Sequence, residues 1–225
     1  MSGPSLLFDL DGTLVDTAPD LLGALNAVLA SEGRAAIDPQ TLRHMVGHGA
    51  RVLIERAMAA TGEPVSPERL PELIDRFIAY YRDHIADQSR PFPAVEETLA
   101  ALRGDGARLA VLTNKPQVLT VPILERLGLA NLFGVICGAG RYDYNKPDAR
   151  VVKHVVDELG GDIAHTAMIG DSAVDVATAR AAGIPVILLS YGYTPAPVHS
   201  LGADAVIDAF PELPAAVSRL RLAPK

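Results

Sequence analysis

Two carboxylates one residue apart follow an apolar segment near the start of the chain. The segment "SLLF" (5–8) runs directly into Asp9, and Asp11 follows after a single leucine. Like charges at this spacing repel each other, and removing either of them from water costs free energy. A divalent cation would offset the repulsion, and Mg²⁺ prefers hard carboxylate oxygens. The pair therefore predicts a metal-assisted active site at the end of a strand.

Three later clusters of polar side chains could bind the same ligand. A threonine hydroxyl with neighbouring backbone N–H groups can bind an anion at a helix start, and a lysine can neutralise its charge. Helix capping is an alternative role for the hydroxyl, amide and carboxylate side chains, and a solvated loop position is an alternative for the lysine. The candidates are Thr113 and Asn114 in "VLTNK", Lys146 in "YNKPD", and Asp171 and Asp175 in "MIGDSAVD".

Alternating strands and helices must position these clusters. Strands that are apolar throughout and alternate with helices are typical of a parallel sheet covered on both faces. The sequence therefore predicts an α/β fold with a doubly wound, Rossmann-like parallel sheet. The predicted strands are 5–9, 108–113, 134–137, 166–170, 185–189 and 205–207, and the predicted helices are 95–104, 119–128, 148–160, 173–182 and 211–220.

Residues 18–88 break this alternation. They contain no β-like run, and their apolar residues recur at helical spacing, which predicts about four helices. An α-helical cap inserted after the first strand would lie over the carboxyl ends of the strands, where open α/β sheets bind ligands. We therefore predict a core domain of residues 1–16 and 89–225 and a helical cap of residues 17–88.

Four short motifs, taken in order, resemble those of the haloacid dehalogenase-like hydrolase superfamily. They are "DLDGT" (9–13), "LTN" (112–114), "KPD" (146–148) and "GDSAVD" (170–175). The resemblance covers residues 5–210. It implies a phosphatase that hydrolyses a small phosphate monoester through an aspartyl-phosphate intermediate.

The resemblance also implies a role for each acidic residue of the motifs. Asp9 would be the nucleophile, and Asp11 the general acid and base. The Asp9 and Asp171 carboxylates and the Asp11 carbonyl would hold a Mg²⁺ cofactor. Asp175 would hold the metal's waters or orient Lys146. Carboxylate and carbonyl oxygens are the ligands that Mg²⁺ prefers.

Three further residues would contact the phosphoryl group. Thr113 and Asn114 would bind it together with neighbouring backbone N–H groups, and Lys146 would neutralise charge on the phosphoryl group and the nucleophile. The third motif departs from the family pattern, because a tyrosine and an asparagine precede Lys146 where that pattern often has a further basic residue.

Several segments resemble the bacterial phosphoglycolate phosphatases of that superfamily, among them "VGHGARVLIERA" (46–57) in the predicted cap. The resemblance implies 2-phosphoglycolate as substrate. The substrate's carboxylate would then bind the cap at the backbone N–H groups of Gly49 and Ala50 and at Arg51, near His48. Another small phosphate ester such as a sugar phosphate, pyrophosphate, and the reaction of a β-phosphoglucomutase-like phosphomutase stay open as alternatives.

Other reaction classes fit the residues less well. The dehalogenase branch uses an aspartate nucleophile on carbon without a metal or a second aspartate, and Asp11 argues against it. A phosphatase with a cysteine nucleophile needs a C-x5-R motif, but Arg141 stands only four residues after Cys137. A non-catalytic binding protein would be expected to lack one of the motif residues, and all of them are present.

Composition limits the partners of the chain. Of its 225 residues, 49% are hydrophobic, 21% are charged, and the formal net charge is −7. This negative charge disfavours nucleic acids and anionic membranes as partners. The partner that the resemblance implies is a small-molecule phosphate ester. One cysteine and no visible signal peptide or membrane span predict a cytoplasmic protein. Its oligomeric state is expected to be a monomer or a homodimer.

Overall fold

A computed structural model describes residues 3–220 of the chain, and in this part six parallel strands form one sheet. A separate pair of short strands lies before and after the first four helices. In chain order the strands are β1 (Ser5–Phe8), β2 (Val15–Asp16), β3 (Arg90–Pro91), β4 (Arg108–Pro116), β5 (Val135–Ala139), β6 (Thr166–Gly170), β7 (Val186–Leu189) and β8 (Ala205–Ile207). The order across the sheet is β5-β4-β1-β6-β7-β8, so β1 and β6 lie at its centre.

Residues 3–220 form nine α-helices, of which the last five cover both faces of this sheet. They are α1 (Ala18–Ser31), α2 (Pro39–Arg43), α3 (Ala50–Ala60), α4 (Leu70–Asp83), α5 (Val95–Gly104), α6 (Gln117–Arg126), α7 (Ala149–Glu158), α8 (Ala173–Ala182) and α9 (Leu213–Arg219). Successive residues of β1 point to opposite faces: Phe8 packs with α5 and α9, and Leu7 packs with α7 and α8. The predicted doubly wound α/β fold is confirmed.

Strand β4 differs from its prediction at its carboxyl end. It continues three residues beyond 113, because Pro116 pairs with Ala139 of β5 after a shift in register. Thr113 and Asn114 therefore lie in extended backbone, and the residue that caps α6 is Pro116. The alternative of a helix cap for Thr113 and Asn114 is wrong.

Helices α1 to α4 pack around an apolar cluster of their own. Their inward side chains repeat at helical spacing, as in Leu21, Leu25 and Leu29 of α1. From the rest of the chain, this cluster includes the buried side chains of Leu119 and Tyr193. No helix within residues 3–220 combines the length and apolar character that crossing a bilayer requires.

The two segments that lead into and out of these helices are held together. Strands β2 and β3 pair in antiparallel fashion. On one side, the Tyr193 hydroxyl accepts hydrogen bonds from the backbone N–H groups of Thr17 (2.8 Å) and Ala18 (3.0 Å). On the other, the Asp20 carboxylate accepts hydrogen bonds from the Ser89 backbone N–H (2.7 Å) and hydroxyl (2.6 Å). The helical cap is thus joined to the sheet through two tightly bonded segments.

Candidate active site

Asp9 lies at the carboxyl end of the central strand β1 and is 4% exposed. Its backbone N–H donates to the Ile169 carbonyl of β6 at 2.9 Å, which extends the ladder by one residue. One carboxylate oxygen accepts the Leu10 backbone N–H at 2.7 Å, and the other lies 3.0 Å from the Lys146 ammonium nitrogen. The side chain is therefore held in one orientation beside a positive charge.

Lys146 is oriented in turn by Asp175. The distance from Lys146 Nζ to Asp175 Oδ1 is 2.6 Å, and both side chains are buried. The second oxygen of Asp175 accepts the backbone N–H groups of Asp171 (3.2 Å) and Ser172 (3.1 Å) and the Ser172 hydroxyl (2.7 Å). Burial lowers the pKa of Lys146, but the Asp175 and Asp9 carboxylates outweigh it and raise that pKa overall, so the ammonium stays charged.

Asp171 lies just beyond β6, where two glycines allow a close approach. Its oxygens accept the Thr13 hydroxyl at 3.1 Å and the Tyr193 backbone N–H at 2.7 Å. A Cβ atom would stand 2.6 Å from Asp171 at Gly12 and 2.2 Å from it at Gly192. The pocket around this carboxylate therefore requires glycine on both sides.

The carboxylates of Asp9, Asp171 and Asp175 fit a divalent cation. One oxygen from each lies within 4.8 Å of the others, and all three residues are buried. Burial raises the pKa of Asp9 to about 6 and that of Asp171 well above its usual range, and neighbouring carboxylates add to both shifts. A single adjacent ammonium does not balance three carboxylates, and oxygen-only donors suit Mg²⁺. Asp9 and Asp171 are the better ligands, because Lys146 and the start of α8 occupy both oxygens of Asp175.

Asp11 has different partners from Asp9, although one residue separates them. Asp11 Oδ1 accepts the Thr17 hydroxyl at 2.7 Å and the Lys115 ammonium at 3.0 Å. Lys115 also donates to the Tyr81 hydroxyl of α4 at 2.8 Å and is itself buried. Asp9 is thus paired with Lys146, and Asp11 is paired with Lys115.

Lys115 and Tyr81 are site residues that sequence reasoning missed. Lys115 directly follows the second motif, and this position was the only signal in the sequence. A lysine at a loop is usually solvated, and Tyr81 lies 34 residues away in the chain. The pairing of β4 with β1 brings Lys115 to Asp11, and α4 brings the Tyr81 hydroxyl to Lys115.

Thr113 and Asn114 also reach the site. Thr113 is buried. Together with Asp9 and Asp11 it lines a small cavity between the core and the cap helices, which we call the inner cavity. The Asn114 amide donates to the Lys146 carbonyl at 3.1 Å and to the Gly47 carbonyl at 3.3 Å, so it joins the third motif to the cap.

The predicted cap residues divide into two groups. Gly49 and Ala50 line the inner cavity, which measures about 30 Å³, and Gly49 takes a φ of +86° at the start of α3. Arg51 is exposed and paired with Glu55 of the same helix at 3.2 Å. Successive residues of a helix point about 100° apart, so Arg51 faces away from the side that Ala50 presents to the site. The structure does not bring Arg51 to the predicted anion site.

Cys137 is a buried residue of β5, as predicted. Burial raises the pKa of its thiol to about 11, which keeps the thiol neutral and unreactive near pH 7. This position gives no support to a cysteine nucleophile.

Comparison with known proteins gives consistent matches over nearly the whole chain. A family model described as haloacid dehalogenase-like hydrolase matches residues 6–189. A phosphoglycolate phosphatase from Caulobacter vibrioides is 48% identical over 216 residues, which cover 96% of this chain and 91% of that protein. Another from Agrobacterium fabrum is 44% identical and covers 93% of this chain and 90% of its own length. The crystal structure of a predicted phosphoglycolate phosphatase from Haemophilus somnus has a TM-score of 0.90 at 30% identity, covering 96% of this chain and 98% of that one.

Proposed function

This chain belongs to the haloacid dehalogenase-like hydrolase family, and on that premise we propose that it hydrolyses 2-phosphoglycolate to glycolate and phosphate with a bound Mg²⁺. It is a phosphatase of that family's type, like the relatives named above. The proposed substrate is supported by those relatives, which are named for phosphoglycolate and match the cap as well as the core.

One observation carries the proposed chemistry: the buried Asp9 carboxylate is fixed on one side by a backbone N–H and on the other by Lys146. An anionic nucleophile approaches an anionic phosphate ester only where positive charge offsets the repulsion. Lys146 supplies part of that charge, and Asp175 holds its ammonium in place at 2.6 Å. Carboxylate nucleophiles that form an aspartyl-phosphate are an established catalytic strategy.

In the first step an Asp9 oxygen would attack phosphorus, and the bond from phosphorus to the glycolate oxygen would break. Asp11 would give its proton to the departing oxygen. In the second step Asp11 would take a proton from water, which attacks the aspartyl-phosphate and releases phosphate and the free Asp9 carboxylate. Thr113 and Asn114 would lie beside the phosphoryl group at the end of β4.

The Asp9 and Asp171 carboxylates and the Asp11 carbonyl would hold the Mg²⁺. When bound, the metal supplies charge neutralisation for the phosphoryl oxygens and for the closely spaced carboxylates. Asp175 would act on Lys146 and on the start of α8. Because every donor is oxygen, we expect strict dependence on a divalent metal with Mg²⁺ preferred.

A panel of small phosphate esters tests this proposal. The panel holds 2-phosphoglycolate, sugar phosphates, pyrophosphate and p-nitrophenyl phosphate, each assayed with Mg²⁺ and after exhaustive chelation. We expect the highest kcat/KM on 2-phosphoglycolate and no turnover without metal. A higher kcat/KM on another ester would make that ester the substrate in place of 2-phosphoglycolate. Phosphoryl transfer to a second sugar hydroxyl would identify a phosphomutase. Full turnover after chelation would contradict the metal requirement.

A further inference from the structure

A second and larger opening reaches the same carboxylates from the side of the cap. We call it the entrance cleft; its volume is about 280 Å³, at the lower end of ligand pockets. From the core it is lined by Asp11, Asp171 and the segments that follow β6 and β7. The inner cavity, at about 30 Å³, is much the smaller of the two, so the entrance cleft offers more room for the alcohol part of a substrate.

The two walls of the entrance cleft carry opposite charge. The core wall contributes Asp11 and Asp171. Among the described residues that line the cap wall, none is acidic, and three are basic: His44, His48 and Arg56. A substrate whose phosphate lies at Asp9 and whose other end is also anionic would be repelled by the core wall and attracted by the cap wall.

Arg56 is the strongest cation of the cap wall and the best held. Its Nη1 donates to the Met45 carbonyl at 3.2 Å, which anchors the half-buried guanidinium against the loop before α3. No carboxylate oxygen of residues 3–220 lies within 4.0 Å of it, whereas Arg51 on the same helix is paired with Glu55. A guanidinium has donors in a planar fork that matches a carboxylate, and within residues 3–220 Nη2 and Nε of Arg56 have no hydrogen-bond partner.

His48 lines the same wall, close enough to Arg56 for the arginine's charge to change its pKa. Partial burial of its ring and the nearby Arg56 charge both lower the pKa of His48, so the imidazole is mostly neutral near pH 7. A neutral imidazole can still donate one hydrogen bond. Arg56 therefore supplies the charge of the cap wall, and His48 supplies a further donor.

We propose that Arg56, assisted by His48, is the specificity-determining group that binds a carboxylate on the alcohol part of the substrate. The inference rests on the proposed function and changes its detail: Arg56 takes the part that the sequence assigned to Arg51. The Gly49 and Ala50 amides line the smaller inner cavity and are the rival location for this carboxylate.

The test compares 2-phosphoglycolate with 2-hydroxyethyl phosphate, in which a hydroxymethyl group replaces the carboxylate. Both are assayed on the Mg²⁺-loaded enzyme. Arg56→Gln retains an N–H donor for the Met45 carbonyl but removes the charge. We expect it to lower kcat/KM about 10- to 100-fold on 2-phosphoglycolate, as for loss of a charged hydrogen bond, and no more than about threefold on the neutral ester. Arg56→Lys should restore part of the loss.

Two further arginine variants complete the set. Arg82→Gln alters an exposed arginine of α4 and is the control, with both esters unchanged. Arg51→Gln tests the residue that the sequence favoured. The inference is overturned if Arg56→Gln lowers kcat/KM equally on both esters or on neither. It is also overturned if Arg51→Gln is the variant that loses kcat/KM on 2-phosphoglycolate alone.

The substrate preference of the wild-type protein distinguishes a failure of this inference from a failure of the proposed function. If it prefers a different ester with a second anionic group and Arg56→Gln removes that preference, the phosphoglycolate assignment fails and the role of the cleft holds. If it shows no preference for a second anionic group, both fail.

Discussion

The carboxylate cluster of the core and the cap wall of the entrance cleft are held in opposite ways. In the core, Asp9, Asp171 and Asp175 are nearly inaccessible, and each accepts hydrogen bonds from backbone or from a neighbouring side chain. On the cap wall, His44 and His48 are exposed and belong to a loop between two helices. The groups that would do chemistry are locked by burial. On the cap wall Arg56 is half-buried and anchored by a hydrogen bond to the Met45 carbonyl, whereas the side chains of His44 and His48 can change without disturbing the fold.

This difference has an energetic reason. Burying several carboxylates together costs free energy, and only fixed partners and a cation make the arrangement stable. An exposed loop carries no such cost. Substitutions in the core wall should therefore affect all substrates alike, and substitutions in the cap wall should distinguish between substrates.

The largest expected effect is that of Asp9→Asn. The amide is not a nucleophile toward phosphorus, so we expect no measurable turnover on any ester and no phosphorylated protein by intact mass spectrometry after acid quench. Asp157→Asn is the matched control, because Asp157 is exposed and forms its ion pair with the exposed Lys153 at 2.7 Å. Turnover at the control's rate in Asp9→Asn would remove Asp9 from the mechanism.

Asp11→Asn should have the next largest effect. The asparagine oxygen can still accept the hydrogen bonds from Thr17 and Lys115, so the fold should persist while the proton donor and base are lost. We expect rates about 10² to 10⁴ lower, with both formation and breakdown of the phosphorylated enzyme slowed in rapid-quench experiments. The loss of rate should be equal on 2-phosphoglycolate and on a neutral ester. A loss on one ester alone would contradict the expectation that core substitutions affect all substrates alike.

Stabilisation by Mg²⁺ should depend on pH through Asp9. Its pKa in the folded protein is raised from 3.8 to about 6, mainly by burial, so ionisation destabilises the metal-free protein as pH rises through about 6. Mg²⁺ binds the ionised carboxylate, so the rise in Tm that it produces should grow between pH 5 and pH 7.5. At 100 times Kd the stabilisation is about 2.7 kcal/mol, or roughly 5 to 10 °C.

Differential scanning fluorimetry with and without Mg²⁺ measures this effect. Asp9→Asn should weaken the pH dependence, and the raised pKa of Asp171 should preserve part of it. An equal rise in Tm at both pH values in the wild-type protein would show that the metal binds elsewhere.

Gly49→Val should have the smallest effect. It distinguishes between the two candidate sites for the substrate's carboxylate, which are Arg56 and the backbone amides of Gly49 and Ala50. Gly49 has a φ of +86°, and an added Cβ would stand 3.2 Å from the Asn114 carbonyl oxygen. Strain of about 1 to 3 kcal/mol should lower kcat/KM roughly 5- to 150-fold on charged and neutral esters alike. A loss confined to 2-phosphoglycolate would instead place its carboxylate at the Gly49 and Ala50 amides and contradict the role of Arg56.

The sequence by itself determined the layers of the fold and the acidic end of the sheet. Apolar strands and 3.6-residue periodicity place helix α5 at Val95–Gly104 and α8 at Ala173–Ala182, as predicted. These features depend on local spacing, because burial requires the apolar side chains to repeat with the period of the element. Asp9 and Asp171 follow directly from the ends of β1 and β6, since neighbouring parallel strands bring their carboxyl ends to one edge.

Tertiary structure alone decided which cations face these carboxylates. Lys115 reaches Asp11 because β4 lies beside β1 in the sheet, and the Tyr81 hydroxyl of α4 holds its ammonium there. Arg56 lines the entrance cleft where Arg51 does not. Both arginines lie on α3, five residues apart, and their spacing does not tell which one meets the core. That choice depends on how the cap helices pack around their own apolar cluster and on the short paired strands that join them to the sheet, because these contacts set the rotation of α3 about its axis.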